Sequence, residues 1–250
     1  MKFLSTLLFN MIPKLMTQPS MKSGFLPVFL LILIAASNTT NAQTKVGIRA
    51  GLNSSNVLME EENSDGNSTK SIPGFHIGLT VDIPLAANFY LQPAVLYSSK
   101  GFKQTNNWFS GSDNDIKVTA SYIEVPLNFI YKHKLASGNL LIGVGPYVGY
   151  GTGGKWKSEA PVSIGDIRID NYGDVIFKKD GMDGEFGNYL YGKPWDFGAN
   201  FLVGYKFWDK LTLQLNAQLG INELKPKVGG VTREGTLKNK GFGISVGYTF

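Results

Sequence analysis

The 250-residue chain contains no cysteine. No disulfide can brace it, no thiolate can hold a metal, and no cysteine follows the leader to carry a lipid. Histidine is nearly as scarce: His76 and His133 are the only two, which leaves few bases for nucleophilic catalysis. No acidic residue precedes Glu60. Beyond residue 42 no apolar run approaches the roughly 20 residues that a spanning helix requires. If this part of the chain crosses a membrane, it does so as strands.

What the first residues do contain is a leader. Residues 25–36 are an apolar run of twelve, with Lys22 before it and Thr40-Asn41-Ala42 after it. That pattern predicts a signal peptide over residues 1–42, cleaved after Ala42 to leave a mature chain of 208 residues, 43–250. A retained signal anchor is the alternative. Met21-Lys22 makes a more ordinary start than Met1, so residues 1–20 are read as an over-extended start. Removing the leader takes away three lysines and lowers the formal charge from +5 to +2. The basic balance is therefore partly a leader effect and implies no nucleic-acid partner.

Eight stretches of the remainder alternate apolar and polar residues with period two: roughly 44–53, 73–83, 88–100, 118–132, 139–151, 194–207, 211–221 and 240–250. Successive side chains of a strand point to opposite faces. One face carries rows such as Ile48, Ala50, Leu52; Ile77, Leu79, Val81; and Leu211, Leu213, Leu215, Ala217, Leu219. The other carries Arg49, His76, Asp82, Gln92, Glu124, Asn128, Lys132, Asp196, Asn200, Lys206, Gln214, Asn216 and many glycines. The connectors alternate too. Residues 54–72, 101–117, 152–193 and 222–239 are long and polar, whereas 84–87, 133–138 and 208–210 are tight.

This layout predicts an all-β protein, an eight-stranded antiparallel up-and-down transmembrane β-barrel with short periplasmic turns and long extracellular loops. A soluble lipocalin-like barrel, with the apolar face inward, has the same alternation. Aromatics favour the membrane: Tyr97, Tyr150 and Trp195 sit by the long connectors, and Phe89, Tyr131, Tyr205, Phe207 and Tyr248 by the turns, like the girdles of a lipid-embedded barrel. An interior this narrow is filled by side chains, so no open pore is expected. Its charges then need one another. Arg49, Lys132 and Lys206 against Asp82, Glu124 and Asp196 are expected to form an interior ion-pair network, with Arg49 and Glu124 paired near the axis directly or through one intermediary such as Tyr122 or Gln214, and Asp82 or Asp196 as competitors for the guanidinium.

The segments Pro73-Gly74-Phe75-His76-Ile77-Gly78-Leu79, Phe89-Tyr90-Leu91-Gln92-Pro93, Tyr122-Ile123-Glu124-Val125-Pro126-Leu127, Asp196-Phe197-Gly198, Gly204-Tyr205 and Gly247-Tyr248-Thr249-Phe250 form an ordered series. In order and spacing it resembles the PorT-like family of outer-membrane β-barrel proteins, over essentially the whole mature chain. The resemblance implies an eight-stranded barrel in the outer membrane of a Gram-negative bacterium, with periplasmic termini. It also implies that the terminal strand, through Tyr248 and Phe250, is the signal read by the barrel-assembly machinery. It carries over no catalytic residue.

Three other patterns have candidate chemistry. Residues 149–156, ending Gly153-Gly154-Lys155-Trp156, nearly spell a phosphate-binding loop, but Trp156 stands where Ser or Thr must hold Mg²⁺ and no helical pattern follows. His76 is read as an interior hydrogen-bonding group and His133 as a turn residue, so no catalytic pair is expected. The acidic stretch 60–67 and the scattered Asp166, Asp170, Asp174, Asp180, Asp183 and Glu185 lack calcium-loop spacing. They are read as solvated loops, with cation bridging to lipopolysaccharide as the lesser alternative. No cofactor, metal or enzymatic activity is expected. The expected role is structural or interactive through the outer loops, with outer-membrane lipid, lipopolysaccharide and an extracellular protein as partners. The alternative is an accessory component of a secretion or transport assembly.

Overall fold

The computed structural model describes residues 43–60, 69–105, 115–159, 162–164, 167–232 and 235–250. The strands are β1 (Lys45–Glu60), β2 (Thr69–Ala86), β3 (Phe89–Gln104), β4 (Ile116–Leu135), β5 (Gly138–Ser158), β6 (Val162–Ile164), β7 (Ile167–Ile169), β8 (Tyr172–Phe177), β9 (Tyr189–Gly192), β10 (Trp195–Phe207), β11 (Leu211–Gly220) and β12 (Thr236–Thr249). Among the described residues the helical content is a single 3-10 turn, Gly181–Asp183.

Ten strands share one sheet. Its antiparallel pairings run from β1 through β2, β3, β4 and β5, pass to β10, β11 and β12, and return to β1. The sheet thus closes on itself and the circuit has no free edge. The short β8 attaches to the end of β5 and carries β9 in parallel. β6 and β7 form a separate two-stranded hairpin.

Register follows the alternation. Leu215 lies opposite Val203 on one side and Ile244 on the other, and Ile48 lies between Leu79 and Tyr248. Every apolar row therefore joins its neighbours on the same face. That face points outward: Leu52, Ile77, Leu79, Phe129, Val144, Phe201, Leu215, Ile244 and Val246 are all exposed, Leu215 at 61%. A continuous belt of this size would be untenable in water. The lipocalin-like alternative, apolar face inward, is thereby overturned.

The turns between β2 and β3, β4 and β5, and β10 and β11 are tight. In the last, Lys210 N–H donates to Phe207 C=O at 3.0 Å, and Trp208 and Asp209 have φ of 49° and 56°. Two consecutive left-handed residues give the turn whose twist matches paired strands.

The strands outrun the stretches read from sequence. β1 continues to Glu60 rather than 53, β5 to Ser158 rather than 151, and β4 starts at Ile116 rather than 118. Much of what reads as polar connector is paired backbone: Val57 lies opposite Asn239, Glu60 opposite Thr236, and Ile116 opposite Ser158. The ladder persists because each backbone group still finds a partner on the next strand. The outward face turns polar, with Lys117 exposed on β4, while the inward face turns apolar. The stretch 149–156 belongs to this extension. It stays strand through Trp156, with no helix after it. Residues 61–67 of the acidic stretch, and Asp166, lie outside the described residues.

Candidate functional site: the barrel interior and its cap

Four layers of side chains fill the lumen. Nearest the tight turns, Asp82 of β2 gathers three donors: Gln92 at 2.7 Å, Lys132 at 2.9 Å and Lys206 at 3.3 Å. The Lys132 ammonium also lies 3.5 Å from the centre of the Tyr90 ring, a cation–π contact. Asp82 and Lys206 are buried, so each depends on the other for the hydration it lost.

The second layer is apolar. Ile130, Leu141 and Leu202 pack together with Tyr90 against them. They separate the first charged layer from the next.

The third layer is polar and centres on Lys100 of β3. Its ammonium bridges the Glu124 carboxylate and the Gln218 side-chain carbonyl, and Asp196 lies 3.9 Å away. Gln218 Nε2 donates to Glu124 at 3.2 Å. Asp196, fully buried, accepts from Asn239 at 2.8 Å and from the Tyr147 hydroxyl at 3.1 Å. Around the same small cavity, about 70 Å³, stand Arg49, Asn53, His76, Asn128, Asn200 and Asn216.

Arg49 thus lies in the layer expected for it, with a different arrangement. The carboxylate of Glu124 takes Lys100 as its ion partner, and the described residues hold no Arg49–Glu124 ion pair. Geometry gives the reason. Lys100 is on β3, the strand beside Glu124 on β4, whereas Arg49 is on β1 and must reach across the lumen. Of the other residues expected in the network, Asp82, Lys132 and Lys206 meet one another, and Asp196 joins the Lys100 layer. Lys100 was the residue missed. It occupies an even position on β3, like Gln92, and that parity is the signal for an inward side chain.

His76 Nε2 and the Ser245 hydroxyl are 2.7 Å apart. The two are a base and a potential nucleophile, but both are buried. The Ser245 oxygen also accepts from Asn216 at 2.8 Å. Such a pair knits β2, β11 and β12 across the interior. His133 is exposed near the end of β4, its ring 6.3 Å from that of Tyr131.

The fourth layer is a hydrophobic cap. Val57, Phe102, Ile116, Val118, Ala120, Tyr122, Trp156 and Leu237 point inward from the strand extensions. β8 and β9 lay Val175, Phe177, Tyr189 and Tyr191 on them, and Leu224 completes the cluster. Rings interlock here: Tyr122 with Phe177 at 5.4 Å and Phe177 with Tyr191 at 5.3 Å. Gly151 makes room for this packing, since a β-carbon there would come within 2.4 Å of the Phe177 ring. The Tyr191 hydroxyl donates to Asn239 at 2.6 Å, so the cap is bonded to the polar layer beneath it. No signal in the period-two pattern placed β8 and β9 over the mouth; their side chains read as loop.

Outside the lumen, Asp180 joins two connectors. It accepts from the backbone N–H of Met182, Gly229 and Gly230 at 3.0, 2.9 and 2.6 Å. Gly229 and Gly230 have φ of 60° and 79°, a conformation that suits glycine. Those backbone donors, Met182 foremost, hold the exposed Asp180 carboxyl below the usual carboxylate range. Among the described residues no cluster of His, Asp and Glu could hold a metal ion.

Aromatic rings bound the outward belt. Tyr150 and Trp195 meet at 5.0 Å at one end, Tyr205 and Phe207 at 4.7 Å at the other. Trp195 and Tyr205 are ten residues apart on β10. That is about 33 Å of strand, or about 25 Å of height at a usual barrel tilt, the height of a lipid-facing band.

No curated protein matches the chain. Among solved structures, Ail, the attachment invasion locus protein of Yersinia pestis, is 11% identical with a TM-score of 0.38, over 83% of this chain and 99% of that one. Neisserial surface protein A is 11% identical with a TM-score of 0.40, over 83% and 99%. OprG from Pseudomonas aeruginosa is 11% identical with a TM-score of 0.40, over 84% and 97%. The family model described as "Outer membrane protein beta-barrel domain" matches residues 35–225. With that match over most of its length, the chain belongs to the outer membrane protein β-barrel domain family.

Proposed function

We propose that this protein is a non-enzymatic, eight-stranded outer-membrane barrel that acts through its outer extension rather than through a pore or a reaction centre. The observation that carries the reading is the filled lumen: two charged layers and two apolar ones leave a cavity of about 70 Å³, room for a few waters. The His76–Ser245 pair lies beneath the cap, out of a substrate's reach. What remains accessible is the lipid belt and the surface beyond it. In this reading residues 1–42 are a removed signal peptide, and both termini face the periplasm of a Gram-negative cell. The last strand, with Tyr248 and Phe250, is read by the assembly machinery. The PorT-like resemblance fits this architecture.

Two measurements test it. The folded protein in planar bilayers is expected to give no steady conductance; a stable open channel would contradict the reading. Protease added to intact cells is expected to cut within 155–179 and spare the turn at 136–137; cleavage at the turn would invert the orientation. Co-purification of a stable multiprotein partner from solubilised outer membrane would move the role to an accessory part of a secretion or transport assembly.

A further inference from the structure

A second concavity lies outside the lumen, at the cap end of the belt. It is an open groove of about 320 Å³ lined by Lys179, Lys193, Lys227, Pro194, Asn222, Trp195 and Phe197. Three lysines thus line it beside two aromatic rings of the lipid-facing row.

The groove is held in place by its backbone. Lys227 N–H donates to Lys179 C=O at 3.0 Å, Gly181 N–H to Lys227 C=O at 2.6 Å, and Lys193 N–H to Leu224 C=O at 2.7 Å. Asn222 accepts from Phe197 N–H at 2.6 Å and donates to Trp195 C=O at 2.9 Å. Lys193 is half-buried and its ammonium donates to Glu223 C=O at 3.3 Å.

The nearby carboxylates are committed elsewhere. Asp180 is taken by Met182, Gly229 and Gly230. Glu223 accepts from the N–H of Lys225 and Leu237, and Glu185 pairs with Lys178 at 3.2 Å. Among the described residues, none of the three lysines forms a salt bridge. Lys227 acts on the Asp180 carboxylate at a distance, and backbone hydrogen bonds leave the charges of Asp180 and Glu223 in place, so the three lysines give the groove a net positive charge smaller than three.

Charge and position together select the occupant. A soluble anion would use the lysines and gain nothing from Trp195 and Phe197. Those rings stack at 6.1 Å and lead onto the exposed belt at Phe197 and Phe201. A phosphorylated glycolipid of the outer leaflet fits both parts: its phosphates meet the ammonium groups and its acyl chains lie along the aromatic row. We infer that this groove binds the phosphorylated headgroup of lipid A, docking the protein's rim to lipopolysaccharide. The inference rests on the proposed orientation, with the cap end outside the cell.

The test uses the full mature chain refolded in detergent micelles, with purified bisphosphorylated lipid A as probe and Trp fluorescence and native mass spectrometry as readouts. Saturable binding is expected, weakened at least tenfold in the triple variant K179Q/K193Q/K227Q. A control triple at the opposite end, K134Q/K210Q/K45Q, is expected to bind as the parent does. Enzymatically dephosphorylated lipid A should lose at least as much affinity as the groove variant shows. Equal binding by parent and groove variant would overturn the site. Competition by millimolar inorganic phosphate as effective as by lipid A would overturn the lipid as its ligand. Heat-modifiable gel mobility verifies that each variant is folded, and single K179Q and K227Q variants serve if the triple is not. Orientation is read separately: K227C should react with an impermeant maleimide on intact cells. No labelling there, with lipid A binding intact, would defeat the orientation and leave the groove standing.

Discussion

The belt and the extension beyond it are built from the same strands but turn opposite faces to the oily side. On β4, Ile123, Leu127 and Phe129 point outward and are exposed, while Glu124 and Asn128 point inward. A few residues earlier on the same strand, Ile116, Val118, Ala120 and Tyr122 are the inward set and are fully buried, and Lys117 is exposed. β1 switches the same way, from inward Arg49 to inward Val57, and β12 from inward Ser245 to inward Leu237. The inward parity of β4 is unchanged across the switch, although its register against β5 shifts between Ser121 and Tyr122. What changes is the solvent outside. Where it is hydrocarbon, polar groups gather in the lumen and satisfy one another. Where it is water, the lumen becomes an ordinary hydrophobic core.

Three changes, each set against a milder counterpart, break or sharpen that contrast, in order of expected effect. Lys100→Met strands Glu124 and Asp196 in the lumen, and breaking a buried pair costs about 3–5 kcal/mol. Lys103→Met, on the outward face of β3 and paired with Asp115 at the water-exposed end, should cost no more than about 1 kcal/mol. Urea unfolding in lipid vesicles measures both. Leu215→Arg puts a charge on the belt and should cost about 2–4 kcal/mol in the same assay. If Arg is as well tolerated there as at Asn216, that face does not meet hydrocarbon. Val118→Thr places a hydroxyl in the cap and should cost about 1–3 kcal/mol, whereas Thr119→Val on the wet face should stay within about 0.5 kcal/mol.

The smallest effect is a pH dependence confined to the connectors. The Asp180 carboxyl is held below its ordinary pKa in the folded protein. The docking it contributes is therefore fully present above the unfolded carboxylate value, near 4, and is lost as pH falls through the lower folded value. Protection of the Gly229 and Gly230 amides, relative to their intrinsic exchange at each pH, should fall on acidification below pH 4, while amides of the belt strands stay protected. Protection that does not change with pH in an Asp180→Asn variant is the matching control.

The belt was legible in the sequence because period two is local information: Leu211, Leu213 and Leu215 announce a face without reference to any other strand. Most of the inward charges were legible for the same reason, Lys100 being the exception. Their partners were not. Glu124 meets Lys100 on the neighbouring strand rather than Arg49 across the lumen, and choosing between them requires the register of β3 against β4. The cap was hidden for a different reason. Val57, Phe102 and Trp156 fall in the connectors 54–72, 101–117 and 152–193, among polar residues whose outward face is wet, so they read as loop. The three cap rings of β8 and β9, Phe177, Tyr189 and Tyr191, gain their meaning from a mouth that several distant strands form together.

The absence of cysteine makes the central contrast directly measurable. Single cysteines along β4, from 116 to 129, can each carry a nitroxide on the folded protein in vesicles, with access scored for oxygen and for a water-soluble nickel chelate. Oxygen access is expected at 123, 125, 127 and 129, nickel access at 117 and 119, and neither at 118, 120 and 122. Oxygen access at 118 and 120 in place of 123 and 127 would contradict it, because the apolar residues of the extension would then face lipid rather than one another.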